Sequence, residues 1–300
     1  MFPRLDRESP LLRNISQLPI VDCEDYMATA EINGTTIYYE EAGAGFPCLL
    51  LHGGLGVDSR YLVRTFGPLE DRLRMVFYDH RGNGRSGRPP FETVTIEQLA
   101  DDAAALAAHL GIGRALAIGH SYGGFVAQEL AIRHPALIAA LILADTTPGQ
   151  LGSTESPDDE QGPPMPPVLV RAMEQGPEPG EDMDRFLERM QPYYFEHVGP
   201  EVFGPVLEGT VYHGAMMTHS MELLTHWSSV DRLPSIAVPV LAVTGRHDFL
   251  CSPPQATRIT SKVPHGEAAI IEGCGHFPFI EAPAPFFAAV ESWLSRVSLA

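Results

Sequence analysis

Apolar residues along this chain fall into two textures. One is a set of short continuous runs: Pro47–Leu51, Arg74–Tyr78, Arg114–Gly119, Ile138–Leu143, Val238–Thr244 and Ala268–Ile271. Such runs suit strands buried on both faces of a sheet. The other is apolar residues at helical spacing, as in Ile96–Leu110, which stops at Gly111, a residue suited to the position just after a helix. Phe125–Arg133 and Pro283–Val297 read similarly. Ahead of these lie two β-rich runs, Met27–Ile32 and Thr35–Glu40, joined by Asn33-Gly34, a strong hairpin signal. Strands alternating with helices predict the α/β class: βαβ units building a mostly parallel, doubly wound sheet covered by helices on both faces.

Two segments stand outside that alternation. Residues 1 to about 24 form a polar lead-in with little periodicity, read as an N-terminal extension. Residues 147–231 hold no buried-strand run; they begin with Gly/Pro/acidic text (Ser153–Pro167, Gln175–Asp184) and continue as amphipathic sequence through His226. Placed between two strands of a parallel sheet, this stretch is expected to be a mainly helical lid over the carboxyl edge, where such sheets bind ligands. Tyr193, Tyr194, Phe195, Phe203, Tyr212, Met216, Met217 and Trp227 give it more apolar mass than a solvated loop needs. The expected organisation is an extension over 1–24, a core over 25–146 and 232–300, and the lid over 147–231.

Composition narrows the function. Hydrophobic residues make up 44% and charged residues 19% of 300 residues, which excludes a disordered chain. Lys+Arg 20 against Asp+Glu 38 gives a formal charge of -18, a surface that repels nucleic-acid phosphates and anionic membranes alike. No apolar stretch approaches the ~20 residues of a membrane span, and the first residues lack a signal-peptide pattern. The expectation is a soluble, cytoplasmic protein without nucleic-acid or membrane partners. Cys23, Cys48, Cys251 and Cys274 are irregularly spaced without a CxxC pair, which argues against a zinc site or a disulfide framework.

The chemistry centres on Gly119-His120-Ser121-Tyr122-Gly123, a G-x-S-x-G directly after one strand and directly before a helix. There the chain must turn sharply with the serine in strained geometry, and only glycine two residues either side lets the backbone close up. A serine hydroxyl is a weak nucleophile and needs a histidine oriented by a carboxylate. Asp248 and His276 follow in that order, each just past a strand and so at the same sheet edge as Ser121. Asp145, past the strand Ile138–Leu143, competes for the role of the acid. His52, His80, His120 and His247 flank the site and read as loop hydrogen-bonders. His213, His219 and His226 lack metal-ligand spacing. Gly54, in the glycine-dense loop after Leu51, and Tyr122 are the expected backbone donors to an oxyanion. That loop lacks G-x-G-x-x-G spacing and a P-loop lysine, so no nucleotide cofactor is expected.

From about Met27 to Val297 the chain resembles the α/β-hydrolase superfamily, through LHGGLG, YDHRGNGRSGRP, GHSYGG, GRHD and GCGHFPFIEAP in that order. Within it the chain looks most like the proline iminopeptidase branch, on its HGG, its YDHRGNGRS loop and the phrase VYHGAM leading to VDRLPSIAVPVL. The resemblance implies an α/β-hydrolase fold with Ser121, Asp248 and His276 as triad. The chain departs from the peptidase pattern at Leu55, where those enzymes usually have Pro. It departs again at Phe249, where they usually carry a glutamate for the substrate's α-ammonium. Against an apolar ring that ammonium loses its ion-pair partner, and Glu222 is the other carboxylate available to replace it. Leu55 and Phe249 are therefore the candidate substrate-binding residues. The leading expectation is a cofactor-independent serine hydrolase of small-molecule carboxylic esters, lactones or small amides. An aminopeptidase removing N-terminal proline is the alternative. A non-hydrolytic ligand-binding role on the same fold is a third reading, opposed by the intact triad and oxyanion loop. The aspartate-nucleophile chemistry of dehalogenases and epoxide hydrolases is excluded by Ser121.

Overall fold

The structure is a computed structural model that describes residues 27–149, 163–178, 180–196 and 198–299. The N-terminal extension, Cys23 and most of the Ser153–Pro167 segment lie outside the described residues. In chain order the strands are β1 (Met27–Ile32), β2 (Thr35–Ala42), β3 (Phe46–Leu51), β4 (Leu73–Tyr78), β5 (Ala115–His120), β6 (Ile138–Ala144), β7 (Val240–Gly245) and β8 (Gly266–Ile271). They form a single eight-stranded sheet in the order β1-β2-β4-β3-β5-β6-β7-β8. The pairs β1–β2 and β2–β4 are antiparallel and the other five pairs parallel. The hairpin turn has Asn33 at φ 47 and Gly34 at φ 78. Two successive positive φ values match the twist of the flanking strands, which is why Asn-Gly serves there.

The helices are α1 (Arg60–Val63), α2 (Ile96–His109), α3 (Tyr122–Arg133), α4 (Pro167–Gln175), α5 (Met183–Met190), α6 (Pro200–Leu207), α7 (Gly214–Leu224), α8 (Pro253–Lys262), α9 (Pro278–Glu281) and α10 (Pro283–Leu294). Thr95 caps α2 by accepting the Gln98 N–H at 3.1 Å. Its other end closes as a Schellman motif, with Gly111 at φ 68 and amide bonds from Gly111 to Ala108 and from Ile112 to Ala107.

Successive residues of each central strand supply opposite faces of the sheet. Leu49, Leu51, Val76 and Tyr78 pack with α2 and α3; Cys48, Leu50, Met75 and Phe77 pack with α1 and α10. Leu49, Leu50 and Leu51 are fully buried, each contributing about 1.5–3 kcal/mol relative to exposure. One strand differs from expectation. Ala268–Ile271 was expected to be buried on both faces, but β8 is the last strand of the sheet, with Glu267 and Ala268 exposed. An edge strand loses neighbours on one side, and its short alanine-rich run does not reveal that. Helix α8, opening on two prolines and rich in threonine, has no counterpart among the expected helices.

Among the described residues, four helices, α4 to α7, lie between β6 and β7. They fasten to the core by polar contacts. The Arg64 guanidinium donates to the carbonyls of Val206 (2.9 Å) and Glu208 (2.5 Å) at the end of α6, where a cation suits the helix dipole. The His213 N–H donates to Gly56 O at 2.7 Å, and Asp58 Oδ2 accepts the Val211 N–H at 3.1 Å. Of the apolar residues expected to anchor this stretch, Phe195, Phe203, Met216 and Trp227 are buried, whereas Tyr193 is exposed.

Below the site, Asp79 fixes the loop after β4. Its Oδ1 accepts from Ser59 N (2.9 Å) and Ser59 Oγ (2.7 Å), and its Oδ2 from Arg85 N and Nε (both 2.8 Å). Arg85 also pairs with Glu40 at 2.6 Å and lies over the Tyr38 ring at 3.7 Å. Burial alone would raise the Asp79 pKa, but the hydrogen bonds and charge of Arg85 outweigh it and bring it to about 2. A carboxyl depressed in the folded state contributes stability that is present above its unfolded value and lost as pH falls through the folded one. Acid unfolding is therefore expected to weaken the wild type as pH falls from 3.8 towards about 2. Asp79→Asn should lower unfolding stability at neutral pH by about 3 kcal/mol, because it breaks one of the two ion pairs of Arg85 and leaves Glu40 alone to balance that charge, and should flatten that acid limb in urea titrations. An unchanged urea midpoint would show that the network does not hold the loop.

Candidate active site

Ser121 joins β5 to α3 with φ 52 and ψ -118. This conformation is disfavoured for any residue with a Cβ, and surrounding contacts must hold it. They do so from both sides: Ser121 N–H donates to Ala144 O at 2.9 Å, and Ser121 O accepts from Gly124 N and Thr146 Oγ1, both at 2.8 Å. A Cβ on Gly119 would lie 2.5 Å from Gly123 O, and one on Gly123 would lie 2.6 Å from His52 O. The glycines two residues either side of the serine are thus required by backbone contact, which is the physical content of the motif.

The loops after β7 and β8 bring Asp248 and His276 to the serine. The His276 Nε2 is 3.0 Å from Ser121 Oγ, and its Nδ1 is 2.9 Å from Asp248 Oδ2. A carboxylate only accepts, so the proton sits on Nδ1 and Nε2 is left free to accept from the serine hydroxyl. Asp248 Oδ1 takes the N–H groups of Leu250 (2.8 Å) and Cys251 (3.0 Å). Asp248 is fully buried and His276 nearly so, while Ser121 is half-exposed at the site's floor. Glu281 secures the histidine loop, accepting Gly275 N–H at 2.9 Å and, from the stretch after α5, Glu196 N–H at 2.7 Å.

The two competing carboxylates are separated by their surroundings. Asp145 stands at φ 47 and its Oδ1 accepts the Gly245 N–H at 2.9 Å. Burial, and then the charge of Asp248, push the Asp145 carboxyl well above the usual range, which favours its neutral form. Burial also works against an ionised Asp248, but the His276 charge, its hydrogen bond and two backbone N–H groups together bring Asp248 below the usual range. Two nearby acids with opposite displacements mark one as the charged partner and the other as a neutral neighbour. Asp248, Cys251 and His276 place ligand-type atoms within 4.8 Å of one another. Both Asp248 oxygens are already bonded, and burial pushes the Cys251 thiol well up, so a protonated thiol beside a hydrogen-bonded pair describes the group.

The loop after β3 completes the site. His52 Nδ1 is 2.8 Å from Gly53 O, and His52 Nε2 accepts the His80 N–H at 3.0 Å. With the carbonyl of the Gly53–Gly54 peptide held by His52, the N–H of Gly54 on the same trans peptide points the opposite way. Tyr122 opens α3, so its N–H has no intrahelical acceptor. His52 thus makes the loop hydrogen bonds expected of it, and its position just ahead of the glycines is why those bonds fix the Gly53–Gly54 peptide. Leu55 is half-buried and packs against the core cluster that includes residues of α2, α3 and α7. Phe249 is half-buried, stacked on Tyr194 with centroids 5.9 Å apart, and both pack against the cluster of Leu169, Ala172, Phe186 and Met190 from α4 and α5. Glu222 is exposed on α7.

A serine, a histidine and an aspartate hydrogen-bonded in line, with the serine on a strand-to-helix turn at a parallel sheet's carboxyl edge, form the arrangement typical of hydrolytic α/β proteins. The family described as alpha/beta hydrolase fold matches residues 47–283, and the chain belongs to that family. It is 25% identical over 267 residues to proline iminopeptidase PfmaB of Pestalotiopsis fici, covering 84% of this chain and 93% of that one. Among solved structures it is similar to a thermophilic esterase from Thermogutta terrifontis, with TM-score 0.71, 26% identity and coverage of 90% and 98%. It is equally similar to the enol-lactonase of Burkholderia xenovorans LB400, with TM-score 0.72, 26% identity and coverage of 89% and 100%. The chain is a hydrolase. Among the described residues, no helix is long and apolar enough to cross a membrane.

Exchanging each acid for its amide separates the two carboxylates. Asp248→Asn should lower kcat by about 10⁴, because an amide favours the wrong histidine tautomer. Asp145→Asn replaces one neutral group by another and should leave kcat within a few-fold. Steady-state kinetics of both variants checks this, and a reversed pair of results would move the acid to Asp145.

Proposed function

We propose that the protein is a serine hydrolase of carboxylic esters whose acyl group is neutral and moderately apolar, with lactones as the related cyclic class. The observation that carries this reading is the line Ser121 Oγ, His276, Asp248, at 3.0 and 2.9 Å, built on a strained turn. His276 Nε2 takes the Ser121 proton as Oγ attacks the ester carbonyl. The Gly54 and Tyr122 N–H groups meet the oxyanion, and the imidazolium returns the proton to the departing alcohol, leaving an acyl-enzyme. A water activated by His276 then adds to the acyl carbon, and collapse of the second tetrahedral intermediate frees the acid and restores Ser121. Asp248 holds the tautomer and balances the imidazolium charge. Helices α4 to α7 serve as the lid, with Leu55, Tyr194 and Phe249 as the wall that meets the acyl group.

Ser121→Ala should cut kcat for a 4-nitrophenyl ester by at least ~10³ while moving the thermal midpoint by only a few degrees. Retained turnover would remove Ser121 from the mechanism.

The peptidase relatives supply a second reading, and Phe249 separates the two. Its stacking on Tyr194 supports an apolar wall where an aminopeptidase needs a counter-charge, and the exposed Glu222 is poorly placed to supply one. The absent ion pair is worth about 1–3 kcal/mol, or roughly tenfold to a hundredfold. The kcat/KM for a neutral ester should exceed that for the matched α-amino ester by that factor. Phe249→Glu should narrow or invert the ratio. A wild type that prefers the amino ester, or that cleaves proline 4-nitroanilide faster than short esters, would put the aminopeptidase reading first.

A further inference from the structure

Three loops contribute to the chemistry proposed above, and one buried side-chain pair touches all of them. The Tyr61 hydroxyl, on α1, accepts the Gly53 N–H at 2.5 Å and lies 2.8 Å from His120 Nδ1. His120 is the residue immediately before Ser121, and its Nε2 lies 2.9 Å from the main-chain oxygen of His276. Tyr61 and His120 are both nearly fully buried. Their rings meet edge-on at 5.5 Å, and Phe277 and Phe279 close around them.

Hydrogen-bond chemistry fixes the direction of every bond. A carbonyl only accepts, so the His120 Nε2 carries a proton and gives it to His276 O. Burial, with the neighbouring His276 ring, holds the His120 pKa down to about 3, so the ring has a single proton and Nδ1 must accept. Tyr61 therefore donates its hydroxyl proton to Nδ1 and accepts from Gly53 with its lone pair. Burial raises the Tyr61 phenol, which keeps that proton in place. The resulting chain runs from Gly53 N–H to Tyr61 O–H to His120 Nδ1, and from His120 Nε2–H to the His276 carbonyl. Gly53 has no room to drift, since a Cβ on it would lie 2.7 Å from His120 O and 2.8 Å from Ser121 Cβ.

We infer that Tyr61 and His120 are a positioning pair that sets the oxyanion loop, the nucleophile and the base in register with one another. The inference rests on the serine-hydrolase reading, and neither side chain touches substrate. Their contribution lies in the distance between the Gly54 N–H and the reacting carbonyl and in the angle of the His276 ring to Ser121. Misplacement on the order of 1 Å there costs up to about 10²-fold in rate.

Tyr61→Phe deletes one oxygen and keeps the ring packing. With a 4-nitrophenyl ester it should lower kcat about tenfold to a hundredfold with KM within about twofold. His120→Gln keeps a donor for His276 O and should retain more activity than His120→Phe, which keeps none. Because both residues act through one chain, Tyr61→Phe combined with His120→Phe should be no slower than His120→Phe alone by more than about twofold. A Tyr61→Phe enzyme with wild-type kcat overturns the inference, and so does one whose thermal midpoint falls while kcat per folded molecule is unchanged. Multiplicative losses in the double variant also overturn it. Failure of the underlying reading looks different: Ser121→Ala would retain the turnover of the wild type, whatever Tyr61→Phe does.

Discussion

At Ser121 the chain must pass from a buried strand into a helix within one residue, and it does so by holding a side chain at positive φ. Such a backbone costs on the order of 1–3 kcal/mol and persists only where its neighbours leave no alternative. Here they leave none. Gly119 and Gly123 close on each other, Ala144 and Thr146 hold the serine's two main-chain polar groups, and β3 presses its last carbonyls against Gly123. Everything at the sheet edge follows from that constraint. The serine stands where β5 ends, α3 begins there with first-turn N–H groups that have no intrahelical acceptor, and the loops after β3, β7 and β8 arrive around it because parallel strands all end there.

Charge is distributed in the same site by burial and contact rather than by residue type. Asp248 and Asp145 stand at the ends of adjacent strands β7 and β6, yet one is held ionised by His276 and two N–H groups while the other is kept neutral. Below them Asp79 is held charged by Arg85. The aromatic side of the site has a parallel logic. Phe195 stacks between Phe203 and Phe277, with both centroid distances 4.7 Å, so the helices between β6 and β7 rest against the residue that follows His276. Tyr194 spans the gap between Phe249 and the His276 ring. The segment between β6 and β7 and the loop that carries His276 therefore pack against each other.

Much of this was legible in the chain. The strand runs, the Asn33-Gly34 turn and the α2 terminus are local patterns, and their geometry follows from local sterics. The serine motif was legible because its glycines answer to backbone contact, and the places of Asp248 and His276 because each follows a strand. What escaped notice depends on distant partners. The exposure of β8 comes from its place at the sheet edge, and α8 hides behind two prolines that suit a helix start as well as a turn. The upward displacement of the Asp145 carboxyl comes from burial and then from Asp248, over a hundred residues away in sequence. Tyr61 carries no motif signature and His120 fills a variable position of the serine motif, so their pairing arises only when α1, the turn before α3 and the loop after β8 are brought together. The acyl preference proposed for the enzyme is the least local reading of all, because it depends on Phe249 packing with Tyr194 and with the cluster from α4 and α5.

The central claim is that Ser121 carries the acyl group. Incubation with a fluorophosphonate, tryptic digestion and mass spectrometry of the peptide containing Gly119–Gly123 test it most directly. The account predicts stoichiometric phosphonylation of Ser121 that tracks the loss of ester hydrolysis and is slowed in Asp248→Asn. Full inactivation with the adduct on another residue, or an unmodified and active protein, would contradict it.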